Sequence, residues 1–292
     1  MIPPNIKSLI LDMDGVLWKD ATPIGDLPRI FARIHTRGLK VAFATNNGTR
    51  TPEQYVERLA GLGVQVESWQ VVTSSLVAAE LMERHFVSHR EETKDAKAVS
   101  PSRSKKTLRG FAVPNEVAIK TKVFAIGGEG LMQALRAKGL ELLPVERAEE
   151  AQAVVMGIDR AINFEKMCAA ALLVHRGVPF FGTNPDKSFP TPLGEIPGAG
   201  AWASVIITAT GVQPIYAGKP QPEILELARQ RLGTAKQETL VVGDRLETDI
   251  AGGQAAGMPV ALVLSGVSTH QQAKAWKPAI DFVSENLGEL VG

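Results

Sequence analysis

The chain is punctuated by short apolar runs that stop abruptly at acidic, amide, hydroxyl or glycine residues, with helical stripes between them. Residues 9–11 (Leu-Ile-Leu) lead straight into Asp12-Met13-Asp14-Gly15, residues 39–44 into Thr45-Asn46-Asn47-Gly48, and residues 239–242 into Gly243-Asp244. Each run is β-prone and too short for a helix, so it reads as a buried strand. The stretches between them carry apolar residues three and four apart, as at Leu27, Ile30, Phe31 and Ile34, which is a helical stripe. Strand, helix and strand in repeated succession call for a parallel sheet with right-handed crossovers. The fold class is therefore α/β, a Rossmann-like parallel sheet core with helices on both faces. In such a sheet the carboxyl ends of the strands face one crevice, which is where ligands bind.

The rhythm predicts helices over 27–36, closed by Gly38, over 52–59, with Thr51 as cap and Pro52 at its first position, and from Ser74 through Met82. It then breaks. Arg84 to Arg109 is rich in Lys, Arg, Glu and Ser and reads as an exposed, mobile loop. Its basic residues Arg103, Lys105, Lys106 and Arg109 read as a solvated insertion rather than an anion-binding surface. From Thr121 the pattern resumes, with strands at 123–126, 153–156 and 178–181 and helices at 130–138 and 163–176. Gly127-Gly128-Glu129-Gly130 lacks the spacing of a dinucleotide fingerprint and reads as a tight turn before a helix. Residues 190–194 read as a loop or hinge. Further helices are expected to residue 209 and over 222–232.

Composition narrows the function classes. A net charge of +1 gives no reason to expect nucleic acid or a membrane surface as partner. The single cysteine, Cys168, permits no intramolecular disulfide and points to a reducing compartment. It falls in an apolar helical pattern and reads as a small buried hydrophobe. Asp12 interrupts the N-terminal apolar run, so no secretory leader is expected, and no apolar run of about 18 residues is present to span a bilayer. A cytoplasmic location follows as the expectation. The five histidines are scattered, which argues for surface positions and against a zinc site.

Four strand ends offer polar groups to one crevice: Asp12 and Asp14, then Thr45 to Asn47, then Lys219, then Asp244 with Asp249 behind it. Together they suit a phosphate ester. Carboxylates from separate strands can hold Mg²⁺, which prefers hard oxygen ligands. Hydroxyl, amide and backbone N–H groups can bind phosphoryl oxygens. Lys219 adds a compact positive charge that also screens the carboxylates from one another.

This series closely resembles the haloacid dehalogenase superfamily of phosphotransferases. The family's Asp-x-Asp-Gly motif stands here as Asp12-Met13-Asp14-Gly15, its Thr or Ser motif as Thr45-Asn46-Asn47, its lysine as Lys219 in Gly218-Lys219-Pro220, and its acidic motif as Gly243-Asp244 with Thr248-Asp249. About thirty residues separate the first motif from the second, and about 170 the second from the third. The latter gap is the one that holds an α/β cap in the type 2 (IIA) subclass. The segments Gly157-Ile158-Asp159-Arg160, Thr183-Asn184-Pro185-Asp186 and Pro197-Gly198-Ala199-Gly200 are similar to the para-nitrophenylphosphatase and phosphoglycolate-phosphatase-like branch. The implied division is a catalytic core over 1–83 and 184–292 and an inserted cap over 84–183, with the basic insertion at about 84–118. The length of that insertion departs from the branch.

The resemblance implies an Mg²⁺-dependent phosphatase acting on small phosphate monoesters through an aspartyl-phosphate. Asp12 would be the nucleophile and Asp14 the general acid and base. Asp12, the Asp14 main-chain carbonyl and Asp244 would ligate Mg²⁺, with Asp249 orienting Asp244 or a metal-bound water. Gly15, Thr45, Asn46, Asn47, Asn184 and Lys219 would hold the phosphoryl group. Asp159, Arg160 and the Asn184 region are candidates to read the leaving group, and 245–248 to line the pocket. The expected partner is a small phosphorylated metabolite, and caps of this kind often pair into homo-oligomers. Two alternatives share these features: a phosphomutase on the same fold, and a phospho-accepting signalling module. The latter has no use for Asp14 or for a cap.

Overall fold

Ser8–Leu11 sits at the centre of a six-stranded sheet in this computed structural model, which describes residues 2–98, 120–191 and 193–292, with backbone alone at 89–98 and 190. The order across the sheet is Phe282–Ser284, Val260–Val263, Thr239–Gly243, Ser8–Leu11, Lys40–Thr45 and Val71–Thr73, and every pairing is parallel. Both faces are covered, as an all-parallel sheet requires. Alternation along the central strand shows it: Leu9 and Leu11 pack into one apolar cluster and Ile10 into the other. From Ser8–Leu11 the chain moves first to one side, at Lys40, and later to the other, at Thr239. That reversal opens a crevice at the carboxyl ends of these two neighbouring strands.

Local chemistry sets the helix starts. Asp26 caps Leu27–Thr36 by accepting from the Arg29 N–H. Thr51 and Gln54 form a capping box ahead of Pro52–Gly61. The helix expected to stop at Met82 instead runs over Ser74–Ala98. Arg84 to Ala98 is thus helical, which corrects the loop expected there. Leu81 and Phe86 pack on the core, His85 meets Phe181 edge-on at 5.6 Å, and Glu83 pairs with Lys138 at 2.7 Å. Those partners come from distant sequence, so the charged residues around them masked the stripe. Arg103, Lys105, Lys106 and Arg109 lie outside the described residues.

A second parallel sheet runs Ile215–Tyr216, Phe180–Gly182, Ala153–Met156, Lys122–Ile126 and Glu141–Leu142. On one face, Phe164–His175 and Ala199–Thr210 bury Ala170, Leu173, Ala203 and Ile206 against Phe124, Ile126, Val154 and Met156. On the other face, Glu129–Ala137 and Ser74–Ala98 join it to the apolar cluster of the first sheet. Because Ile215–Tyr216 pairs with Phe180–Gly182, the chain returns to the first sheet after Tyr216, not at 184 as expected from the sequence. The expected hinge over 190–194 is an antiparallel hairpin, Ser188–Thr191 with Gly194–Pro197. His35, His175 and His270 are exposed, whereas His85 is half-buried on Phe181. No helix among the described residues is long and apolar enough to cross a membrane.

Candidate active site

Asp12 follows the central strand, its N–H bonded to the Val242 carbonyl at 2.9 Å, and Asp244 follows the strand to which Val242 belongs. Pairing of the two strands therefore brings both carboxylates to one edge. A single π-helical turn over Leu246–Ile250 folds Asp249 back, so that its Oδ2 accepts from the Arg245 N–H at 3.0 Å. Carboxylate oxygens of Asp12, Asp244 and Asp249 all lie within 4.8 Å of one another. Lys219 is buried among them. Its Nζ donates to Asp12 Oδ1 at 2.5 Å and to the Ala44 carbonyl at 2.7 Å, and sits 2.6 Å from Asp249 Oδ1. Those contacts use all three ammonium hydrogens.

Asp244 is gripped by backbone. Val267 N–H donates to its Oδ2 at 2.8 Å, and Ser268 N–H to its carbonyl at 3.0 Å. A Cβ on Gly266 would lie 1.9 Å from Asp244 Oδ2, and one on Gly15, whose φ is +84°, 2.4 Å from the same atom. Only glycine lets both chains approach this closely. Ser265 Oγ closes the ring by donating to the Gly15 carbonyl at 2.7 Å. The turn 265–268 was not expected to belong to the site. It follows the strand Val260–Val263, so it too is a polar stop at a strand's carboxyl end.

The electrostatics follow from three acids around one lysine. Burial pushes the Asp12 carboxyl up and the neighbouring acids add to this, while Lys219 opposes it. Asp244 is pushed up to about 7 by burial and by Asp249. Burial pulls Lys219 down, but Asp12 and Asp249 outweigh it and leave the ammonium above its ordinary range. The pocket is short of positive charge. Its donors are all hard oxygens, the set that Mg²⁺ takes, so the residues present fit that ion.

The other expected site residues fall in two groups. Asp14 stands apart from the three clustered carboxylates, with its Oδ1 accepting from Trp18 Nε1 at 2.8 Å. Thr45 Oγ1 accepts from the Asn47 N–H at 3.1 Å and is hydrogen-bonded to the Tyr55 hydroxyl. Asn47 Oδ1 is taken by Thr49, leaving the amide nitrogen as the ligand-binding end of that side chain.

Gly15, Asn46 and Asn184 are corrections. The Gly15 N–H donates to the Trp18 carbonyl at 2.7 Å, so its value to the site is the close approach to Asp244. Asn46 Nδ2 is committed to Asp186 Oδ2 at 3.1 Å and the Lys219 carbonyl at 2.9 Å. Asn184 Nδ2 is committed to the Asn46 carbonyl at 2.7 Å and to Thr183 Oγ1 at 3.2 Å. With both amide hydrogens spent, these side chains hold loops together rather than phosphoryl oxygens. Asp159 accepts from the Ala161 N–H and pairs with Lys166 at 2.7 Å, which is turn chemistry, and Arg160 is exposed. Asp186 was named only as part of a strand-end segment. It faces Lys219, Arg245 and Asp249, and burial raises its carboxyl while the Asn46 hydrogen bond lowers it.

A model of the haloacid dehalogenase-like hydrolases matches residues 9–141, and a HAD-hydrolase-like model matches residues 216–290. The chain is 34% identical to the 5'-nucleotidase YutF of Bacillus subtilis over 96% of both chains. It is 33% identical to an acid sugar phosphatase of Staphylococcus aureus, over 97% of this chain and 98% of that one. Among solved structures, a p-nitrophenyl phosphatase from Archaeoglobus fulgidus superposes with a TM-score of 0.80 at 31% identity, covering 98% of each chain. A glycerol phosphate phosphatase from Mycobacterium tuberculosis in complex with magnesium superposes with a TM-score of 0.80 at 28% identity, covering 98% of this chain and 77% of that one.

Proposed function

The chain belongs to the haloacid dehalogenase-like hydrolases, and on that premise we propose that it hydrolyses small-molecule phosphate monoesters through an aspartyl-phosphate on Asp12. The observation that carries this reading is the convergence of Asp12, Lys219, Asp244 and Asp249 at the topological switch point. Lys219 holds Asp12 by Oδ1, which leaves Oδ2 to attack phosphorus in line with the departing oxygen. The new bond is Oδ2–P, the bond that breaks joins phosphorus to the alcohol oxygen, and Asp14 gives that oxygen its proton. In the second step Asp14 takes a proton from water as the water oxygen bonds phosphorus. The acyl-phosphate bond then breaks to release inorganic phosphate and free Asp12.

The Thr45 hydroxyl and the Asn47 amide would bind phosphoryl oxygens from the opposite strand end. Asp12, Asp244 and the Asp14 main-chain carbonyl would hold Mg²⁺, with Asp249 orienting Asp244 while bound to Lys219. When bound, Mg²⁺ supplies positive charge beside the phosphoryl oxygens.

The relatives act, by their names, on nucleotides, sugar phosphates, aryl phosphates and glycerol phosphate. The reading for this chain is a small phosphorylated metabolite handled in the cytoplasm. Pairing of two copies through the second-sheet lobe belongs to the same reading and is supported by Phe164, Leu172 and Val205, which its helices leave exposed. Light scattering of the purified protein checks it. The enzymatic test is release of inorganic phosphate from a panel of phosphorylated metabolites, with Mg²⁺ and with chelator. Phosphate release that requires Mg²⁺ is expected. An isomerised ester in place of free phosphate would mean a mutase, and no reaction with any member would sink the proposal.

A further inference from the structure

The Asp14 carboxylate is held by an indole. Trp18 is fully buried, and its Nε1 donates to Asp14 Oδ1 at 2.8 Å. The backbone between them is pinned as well, with Gly15 N–H on the Trp18 carbonyl at 2.7 Å and Leu17 N–H on the Met13 carbonyl at 2.8 Å. Trp18 then opens a short hairpin, Trp18–Lys19 paired with Thr22–Pro23. From the other side the Arg58 guanidinium lies 3.9 Å from the centre of the indole and donates to the Asp20 carbonyl at the tip of that hairpin. The same helix, Pro52–Gly61, carries Tyr55, whose hydroxyl donates to the Asn47 carbonyl at 2.8 Å. One helix therefore fixes both the plane of Trp18 and the loop at the end of the Lys40–Thr45 strand.

We infer that Trp18, clamped by Arg58, is a positioning residue that selects which oxygen of Asp14 handles the proton. This rests on the reading of Asp14 as the general acid and base. An indole N–H can only donate. It therefore occupies Oδ1 whether Asp14 is charged or neutral, and the proton passed to the leaving group resides on Oδ2. Rotating the carboxylate would leave a buried N–H unpaired, so the orientation is fixed before substrate arrives. Trp18 does not touch substrate; it acts through Asp14.

The test exploits the leaving group. A nitrophenolate departs without a proton, whereas an alkoxide needs one. Trp18→Phe removes the N–H. A second variant carrying benzothienylalanine at position 18 replaces N–H by sulfur at nearly constant shape, which guards against a folding defect. For each, kcat/KM is measured with glycerol phosphate and with p-nitrophenyl phosphate, beside Asp14→Asn as reference. Misplacing a reacting group by about 1 Å can cost about 100-fold. Both Trp18 variants are expected to lose roughly 10- to 100-fold in kcat/KM with the alkyl ester and less than about 3-fold with the aryl ester, because kcat/KM reports phosphoryl transfer to Asp12 and not the hydrolysis step that the two esters share. Equal losses with both esters, or none, while Asp14→Asn does discriminate, would overturn the inference and leave the proposed reaction standing. If Asp14→Asn itself fails to discriminate, the role of Asp14 as acid falls and this inference falls with it.

Discussion

Replacing Lys219 by Met should be costly, and the cost should depend on pH. The ammonium is buried with contacts of 2.5 Å to Asp12, 2.6 Å to Asp249 and 2.7 Å to the Ala44 carbonyl. Met fills comparable volume but leaves three acids facing one another and one carbonyl without a donor. Removing one partner of a buried ion pair costs about 3–5 kcal/mol. Asp12 and Asp244 already sit above the ordinary carboxylate range, Asp244 at about 7, and without the lysine they rise further. Stability associated with a raised acid is complete below its unfolded-state pKa and is lost as pH rises through the folded value. The deficit should thus be near its full 3–5 kcal/mol at about pH 8 and shrink toward pH 5, where the acids bind protons. Urea unfolding in chelator at the two pH values reads it directly. Adding Asp249→Asn to the Lys219 variant should recover part of the loss at the higher pH, since the two sites are in contact. A variant as stable as the wild type at pH 8, or one hurt more at pH 5, would refute this account of the site's electrostatics.

The same sign argument applies to the intact protein. Without metal its stability should fall as pH climbs through about 7, and Mg²⁺ should raise the thermal midpoint more at pH 8 than at pH 5; an equal shift at both would count against Asp244 as the titrating group. Asp12→Asn should keep the fold, judged by circular dichroism, and lose turnover by several orders of magnitude; near-normal turnover would remove Asp12 as nucleophile. Gly266→Ala places a methyl group 1.9 Å from Asp244 Oδ2 and must displace that carboxylate. A 10- to 100-fold rise in the Mg²⁺ concentration needed for half-maximal activity is expected, and an unchanged requirement would mean that Asp244 does not ligate.

The strand ends that carry Asp12, Thr45 and Asp244 were legible because each is announced locally, by an apolar run and an abrupt polar stop. Their convergence followed from parallel topology alone. Asp249 and Lys219 were legible only as members of the series, since nothing in their immediate sequence says that they would share an ion pair. What escaped was set by contacts between distant segments. Asn46 and Asn184 look like phosphate ligands until their hydrogens are found spent on Asp186, on Thr183 and on backbone carbonyls. Trp18 lies four residues past Asp14, and only the turn at 15–17 brings its Nε1 back to the carboxylate. The helix beyond Met82 escaped for a related reason. Its His85 meets Phe181, about a hundred positions away, and its Leu81 and Phe86 pack on a cluster drawn from distant segments.

The spent amides have a consequence for how the two sheets act together. Lys219 reaches the acids from the second sheet, three residues after its edge strand Ile215–Tyr216. The Gly218 N–H is bonded to the Thr183 carbonyl at 2.7 Å, so the lysine loop and the 183–186 loop are extensions of neighbouring second-sheet strands. Asn46, from the first sheet, grips both, through Asp186 and through the Lys219 carbonyl. Gly130 N–H donates to the Thr49 carbonyl at 3.2 Å, and a Cβ there would lie 2.4 Å from the Arg50 carbonyl, so the junction is closely packed on that side too. Rotation of the second sheet against the first would therefore have to break the Asn46 bonds and shift the ammonium against Asp12 and Asp249. The cation that holds Asp12 is in this way positioned by the lobe that the sequence places over the crevice. Substitutions in the 183–186 loop should accordingly alter turnover of every ester, and not only the choice among them.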